Sequence, residues 1–499
     1  MEKLIIEEKK IDGIKTLNDD EFQPSNYSSL VDPSNNPTTN QTNRAEKKLI
    51  AKLDRIILPF TALLYLSAYL DRGNLGNAKL QGLKAQLLGN NDIKFSVVLC
   101  AFYITYIVFS IPGTLLSRAI TPSTSMALGA MIWSIAASAM ASAQNYPSLV
   151  VCRLFIGLGE ALFGQTVSFY FSLWYKKNEV SKRIAIFIGA GTLAGAFGGL
   201  IAFGVSNIKS SSISTWRILF LIEGLPSVLL AIALFFCLPT KPEKTKYLNE
   251  TERELLLNRL KQDGLHESSN KIDWNGVKRA FTDWKTYVIS VLYSCMNLTL
   301  GSVSGFLPTI ISSMGYSDAS AQLHTVPPYA VALVFMISLS TISDKLSSRG
   351  LPIVSVFSIS SIGWLILLLV ETNQHVRYFA TFCVVIGGYA AIPLIIGWVS
   401  NNTPNQSQRA VSLGMLNTVG QCLSILAAFI FPESEKPGWK TGFGTNLAFN
   451  LLAILISLCM TSYYRLENRK RDRQNLGTEK SIESDYDLSP SLSYYFIFF

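Results

Sequence analysis

The sequence predicts an all-α membrane protein of twelve transmembrane helices, and three observations carry that expectation. Hydrophobic residues make up 49% of the 499 and charged residues only 15%, too apolar a balance for an ordinary soluble chain. Apolar segments of roughly 20 residues, the length that crosses a bilayer, recur about twelve times. A polar stretch at residues 239–285 divides them into six and six.

The spans are expected at residues 56–70, 95–116, 124–143, 146–169, 184–205 and 216–238, and then at 287–312, 325–342, 351–370, 376–400, 410–431 and 444–463. This gives an N-terminal tail (1–52), a first bundle (53–238), a central loop (239–285), a second bundle (286–464) and a C-terminal tail (465–499). Within the central loop, residues 248–261 have the charge and leucine spacing of a short surface helix. Residues 1–43 are polar and hold no apolar signal core, so the first span is expected to direct insertion.

With both termini in the cytosol, the inner loops hold about 29 Lys and Arg against about 9 in the outer loops. The net charge of +9 therefore reflects topology, and nucleic acid is not an expected partner. The seven cysteines all fall in apolar spans without paired spacing, as small core residues do. His266, His324 and His375 lie far apart, so neither a metal nor another cofactor is expected. No spaced set of His, Cys and acids suggests catalysis.

Four ionisable residues stand where hydrocarbon penalises them: Asp71 and Arg72 at the end of the first span, and Arg153 and Glu160 inside the fourth. A charge at mid-bilayer costs about 2.5–3.5 kcal/mol on insertion scales, so such residues mark a cavity, a pairing or a ligand. Arg153 and Glu160 are seven apart, which on a helix leaves them about 20° apart on one face. Burial favours the neutral form of the Glu160 carboxyl and a nearby arginine favours the charged form, a balance suited to loading and releasing a proton. A permanent Arg153–Glu160 structural pair is the alternative. Arg72 keeps its charge and suits a carboxylate, unless it snorkels to the interface beside a neighbour. Asp71 either titrates or braces an arginine.

Six-span halves joined by a polar loop define the major facilitator architecture, with a substrate site between the halves near the midplane. Ser343-Asp344-Lys345 followed by Arg349-Gly350 resembles the acid–base loop signature of that superfamily and makes Asp344 a structural or gating candidate. The run Tyr69-Leu70-Asp71-Arg72-Gly73-Asn74-Leu75-Gly76-Asn77-Ala78 resembles the first-span signature of the fungal allantoate permease family of anion:cation symporters. Further runs resemble family motifs in order: Ser172 to Lys177 with Arg183, Trp216-Arg217 with Ile222-Glu223-Gly224, Phe306 to Ile310 with Gly315-Tyr316, Thr325 to Tyr329, and Glu467-Asn468-Arg469. Within the family the chain is most similar to nicotinic acid permeases.

That resemblance implies import of a small organic anion with protons by a multi-pass protein of the plasma membrane or an endomembrane, acting as a monomer. It implies that Arg72 contacts the substrate carboxylate, that Glu160 and Asp71 carry protons, and that Arg153 modulates them. Tyr106 matches a tyrosine of related symporters, and either it or Tyr103 is expected to face the cavity. Trp398 resembles an aromatic of the tenth span of relatives, and either stacks on a flat ring or faces the membrane. Asn417 and Gln421 share a helix face and either present amides to the ligand or bond between helices. Arg217 and Glu223 are expected to form a structural or gating pair.

The chain departs from the family at Pro112-Gly113-Thr114, around Leu162 to Gln165 and at Gly420-Gln421, changes that bear first on which anion is carried. Allantoate, pantothenate, sulfonates and short peptides are therefore alternatives to nicotinate. A drug-efflux antiporter would need a proline where Ala196 follows Gly195. A non-transporting nutrient sensor would carry a longer cytosolic tail.

Overall fold

Long apolar helices dominate a computed structural model of the chain, which describes residues 37–208, 213–262, 274–346, 348–403, 406–436 and 438–478. The polar N-terminal segment, Gln165's side chain and the C-terminal residues 479–499 lie outside that description. Apart from the start of the first helix, residues 37–48, everything below lies in the unit Leu49–Phe499.

The first half runs through α1 (Pro37–Leu80), α2 (Leu83–Leu88), α3 (Asp92–Ala119), α4 (Pro122–Ala139), α5 (Tyr146–Ser172), α6 (Lys177–Ser206) and α7 (Thr215–Cys237). Then come α8 (Glu250–Gln262) and α9 (Trp274–Thr282). The second half holds α10 (Trp284–Ser312), α11 (Asp318–His324), α12 (Val326–Lys345), α13 (Gly350–Leu369), α14 (Gln374–Asn401), α15 (Gln406–Gly420), α16 (Cys422–Ala427) and α17 (Lys440–Thr478). The end of the bundle where α1 stops at Leu80 is called distal, and the end bearing α8 and α9 proximal.

Eleven helical segments among the described residues are long and apolar enough to cross a membrane, against the twelve expected. The one that does not qualify is α1. Its apolar interval is bounded by Asp54-Arg55 and Asp71-Arg72, and polar side chains that serve a buried site lower the mean hydropathy of the helix that carries them.

Local chemistry sets the ends. Gly82 and Gly89 bracket α2 at φ 92° and 59°, the left-handed region open to glycine. Asn145 caps α5 by accepting from the Ser148 N–H at 3.0 Å, supplying one partner that a first turn lacks. Packing is closest where glycines face neighbours. A Cβ on Gly129 of α4 would lie 2.6 Å from the Gly159 carbonyl of α5, and one on Gly159 the same distance from the Gly129 carbonyl. The α6 glycines serve likewise: Gly191 meets Tyr65 of α1, Gly195 meets Tyr329 of α12 and Gly199 meets the Gln322 carbonyl of α11. Close helix approach accounts for them.

At the proximal end, Arg183 of α6 forks onto Asp54 of α1 at 2.7 and 2.8 Å and stacks over Tyr175. The expected surface helix is α8, tied down by Arg259–Glu179 at 2.6 Å and Lys52–Glu252 at 2.6 Å. Arg349 pairs with Asp344 and donates to Ser343 Oγ at 3.1 Å. Its guanidinium lies against Gly397, so the loop signature staples α12 and α13 to α14.

Candidate functional site

Arg72 projects from α1 into the centre of the bundle, and Glu160 reaches it from α5. The guanidinium Nε donates to Glu160 Oε2 at 2.7 Å, with a terminal nitrogen 2.5 Å from the same oxygen. Glu160 is almost wholly buried, at 2% side-chain exposure, and Arg72 is partly exposed, at 11%. Three rings surround the cation: Tyr69, Phe102 and Tyr106, with centroids 4.7, 4.9 and 5.1 Å from it. Such a cage holds a guanidinium by cation–π attraction while leaving its donors for a carboxylate.

The second arginine is placed differently. Arg153 donates to the Asp71 main-chain carbonyl at 3.2 Å, while its Nε and other terminal nitrogen have no hydrogen-bond partner. The Arg153–Glu160 pair weighed from their spacing is not formed. They share a face of α5, but Glu160 turns to α1. Neither carboxylate oxygen of Asp71 has a partner, nor does Glu160 Oε1.

A cavity opens beside Arg72, lined by Tyr69 (α1), Tyr103 (α3), Leu300, Gly301 and Ser304 (α10), Tyr389 (α14), Gln421 and Ser424. It draws walls from the first and second halves of the chain. Tyr69, Ser304 and Tyr389 continue into a neighbouring space bounded by α6 and Tyr329. The two provide about 10 and 20 Å³ for a water-sized guest, room for about one water each. Arg72 is the charged residue among those lining them. Gln421 stands between α15 and α16, where the helix is interrupted, and its Oε1 accepts from Ser424 Oγ at 3.0 Å. Interrupted helices at mid-depth are a recurrent way to present polar groups to a solute.

The expected residues do not all converge here. Arg72 and Gln421 line the cavity; Glu160 stands behind Arg72, and Asp71 and Arg153 lie deeper. Of the two α3 tyrosines it is Tyr103 that lines the space, while Tyr106 packs under the Arg72 guanidinium. Trp398 is not at the site: it is fully buried and edge-on to Tyr464 of α17. Asn417 donates to the Leu413 carbonyl at 3.1 Å and does not line the cavity. The expected Arg217–Glu223 pair is absent: Arg217 donates to the Ala141 carbonyl at 2.6 Å and covers Trp216, while both Glu223 oxygens lack partners. Sequence reading passed over Tyr69, Ser304 and Tyr389. Tyr69 carried a signal, since it precedes Arg72 by one turn on the same helix face.

Many membrane-spanning helices around a narrow polar cavity shared by the two halves define a membrane carrier. Residues 61–429 match the family model described as Major Facilitator Superfamily, and the chain belongs to that superfamily, a family of transporters rather than enzymes. It is 32% identical over 456 residues to the uncharacterised transporter C1683.12 of Schizosaccharomyces pombe, covering 91% of this chain and 94% of that one. It is 30% identical over 477 residues to the major facilitator-type transporter hxnP of Emericella nidulans, covering 92% and 96%. The fold is similar to that of the xylose transporter XylE from E. coli in a partially occluded inward open conformation, at TM-score 0.63 and 14% identity over 80% of this chain and 95% of that one.

Proposed function

We propose that this chain is a proton-coupled symporter that imports a small organic carboxylate, with nicotinate or a related vitamin or nitrogen-source anion as cargo. The observation that carries the reading is Arg72: a largely enclosed, permanently charged fork on the cavity wall, held by a single carboxylate that can titrate. While Glu160 is ionised it occupies the guanidinium that a substrate carboxylate needs. A proton on Glu160 weakens that bond and releases Arg72 to the substrate, so proton and anion each favour the other's binding. Asp71 is read as a further proton acceptor and Arg153 as the cation that biases both acids.

The tyrosines beside Arg72 suit a flat ring whose carboxylate meets the fork, which favours an aromatic acid over a sugar acid. Gln421 is read as a polar contact to the ring. The rings leave little space in this state, so loading requires the halves, residues 53–238 and 286–464, to rock apart. We place the protein in the plasma membrane with both termini cytosolic, following the basic bias of the loops.

The test is uptake of labelled nicotinate, allantoate, pantothenate and a dipeptide in cells lacking their own permeases, at acidic and neutral pH, with and without a protonophore. Acid-driven accumulation of one carboxylate that the protonophore abolishes is the expected result. Accumulation indifferent to the proton gradient would remove the coupling from the reading.

A further inference from the structure

Six of the eight tryptophans are wholly buried. The two that are not, Trp274 and Trp284, open the neighbouring helices α9 and α10 at the proximal end, 72% and 50% exposed. Phe281 and Tyr287 in the same stretch are exposed too. Large rings gathered on one short piece of surface mark it as a contact site.

The residues of α9 divide by face. Gly276 and Ala280 are buried, one turn apart, and residues this small let α9 pack closely against α15. At 3.6 residues per turn, Trp274, Lys278 and Phe281 fall within about 60° of one another on the other side, with Arg279 at their flank; all four are exposed. The helix contains no acid, and among the described residues neither Lys278 nor Arg279 has an ion-pair partner. Its neighbour α8 is the contrast: Leu256 and Leu260 are buried, and Arg259 is engaged by Glu179 of α6.

The level of α9 follows from its connections. Asp283 alone separates it from α10, and the Tyr287 hydroxyl donates back to the Phe281 carbonyl at 2.9 Å across the bend. Trp284 meets Tyr463 of α17 edge to face, with centroids 5.1 Å apart. On α17 the apolar run ends at Tyr463-Tyr464, and Arg465, Arg469 and Lys470 follow. The ring pair therefore stands where hydrocarbon gives way to headgroups, the level that aromatic belts occupy.

We propose that the outward face of α9 is a binding site for an anionic phospholipid, with the Trp274 and Phe281 rings sunk beside its acyl chains and Lys278 and Arg279 on its headgroup phosphate. Aromatic and basic residues on the free face of a short helix seat it in the interface in this way, and the lipid supplies the negative charge that the two cations lack in the protein. The rings also continue into the lipid-facing side of α10, where Tyr287 and Val291 are exposed. Since α9 rests on α15, which leads into Gln421 of the cavity wall, a lipid held there bears on a helix of the candidate site. The site stands whichever solute the chain carries.

Native mass spectrometry of the purified full chain, titrated with phosphatidylserine or with phosphatidylcholine of matched chains, counts bound lipid directly. Wild type should hold phosphatidylserine more tightly. Lys278→Gln combined with Arg279→Gln should weaken phosphatidylserine by roughly 5-fold for each charge removed and leave phosphatidylcholine unchanged. Lys440→Gln, which removes an exposed cation at the distal end, should alter neither, and Trp274→Ser should weaken both. The substituted side chains are exposed, and a monodisperse elution profile checks the fold of each variant. In nanodiscs, phosphatidylserine should slow hydrogen exchange over residues 274–287 in wild type but not in the double variant. Equal phosphatidylserine retention by wild type and the double variant overturns the site, as does equal protection in phosphatidylcholine nanodiscs. A dimer that Trp274→Ser dissociates overturns it too, since the face would then be an interface between copies.

Discussion

Lys79 at the distal end of α1 and Lys84 of α2 are nearly as buried as Asp71 and Glu223 are deeper in the bundle, yet the lysines are engaged by carboxylates. Lys84 contacts Glu433 at 2.7 Å and Asp92 at 2.6 Å, and Lys79 contacts Glu433 at 3.1 Å. The Asp92 carboxylate also accepts the Glu433 N–H at 3.1 Å. Lys79 lies over the rings of Phe95 and Phe306. The middle of the bundle shows the reverse, with carboxylate oxygens and guanidinium nitrogens left unbonded. A buried charge with complete partners holds one geometry, whereas one without them is poised to change partner or protonation. The distal cluster therefore reads as a clasp between segments far apart in sequence, and the middle as the moving part.

The two differ in how they answer pH. Burial works against it, but the ammonium groups of Lys84 and Lys79 hold the Glu433 carboxyl below its ordinary value. A carboxyl lowered in this way stabilises the clasped state fully above the ordinary glutamate range and loses that contribution only as pH falls through the lowered value. Mild acid should leave the clasp intact. On the proton-coupled reading proposed above, proton sensing in the mildly acidic range is assigned to the middle of the bundle, where the unbonded carboxyls are.

The largest expected effect breaks the middle. Arg72→Ala strands Glu160 without its partner and removes the fork on the cavity wall, so labelled-acid uptake should fall by on the order of 100-fold, the effect of truncating a charged contact worth about 3 kcal/mol. Arg72→Lys should recover little, because an ammonium lacks the planar fork. Uptake that survives Arg72→Ala would move the anion site elsewhere. Glu160→Gln should come next. With the carboxylate neutralised, Arg72 stays available, so preloaded vesicles should still exchange substrate while acid-driven accumulation disappears. Concentrative uptake by Glu160→Gln would exclude Glu160 as the coupling acid.

These contrasts also mark what the sequence reveals. The helices are legible because about 20 apolar residues in a row have no other stable fate in hydrocarbon, and Asp71, Arg72, Arg153 and Glu160 stand out because charge there is costly. Helix period tells which residues share a face, but not which neighbour meets that face. Hence the spacing puts Arg153 and Glu160 on one side of α5, while the partner of Glu160 is Arg72, 88 residues away in sequence. The same limit hid the separation of Arg217 from Glu223 and the burial of Trp398 against Tyr464. Tyr389 was missed because nothing along α14 distinguishes a ring facing a cavity from one packed in a core.

Breaking the clasp should have a middling effect. Glu433→Gln leaves two buried ammonium groups with Asp92 as their remaining charge partner. The cost expected is about 1–2 kcal/mol, less than the ~3–5 for severing a fully buried pair, because the Glu433 side chain is substantially exposed. It should appear as faster hydrogen exchange in the α1–α2 and α3 peptides around the clasp, with helices near Arg72 unchanged. Equal protection in the variant would mean that aromatic packing, not charge, holds the distal end.

The smallest effect belongs to the Lys52–Glu252 pair that ties α8 to α1. It resembles the clasp in charge and distance, at 2.6 Å, but its side chains are 39% and 31% exposed. Its hydrogen bond from Lys52 holds the Glu252 carboxyl below the usual range. Solvent screens such a pair and the long side chains lose entropy in forming it, so the net stabilisation is about 0–1 kcal/mol. Glu252→Gln should therefore move the thermal midpoint by no more than a degree or two, and added salt should erase the difference. Arg259→Met is the counterpart at the same interface. Its guanidinium is nearly wholly buried against Glu179, so the midpoint should drop further and salt should restore little. If the two variants behave alike, burial is not what separates a structural ion pair from an incidental one in this protein.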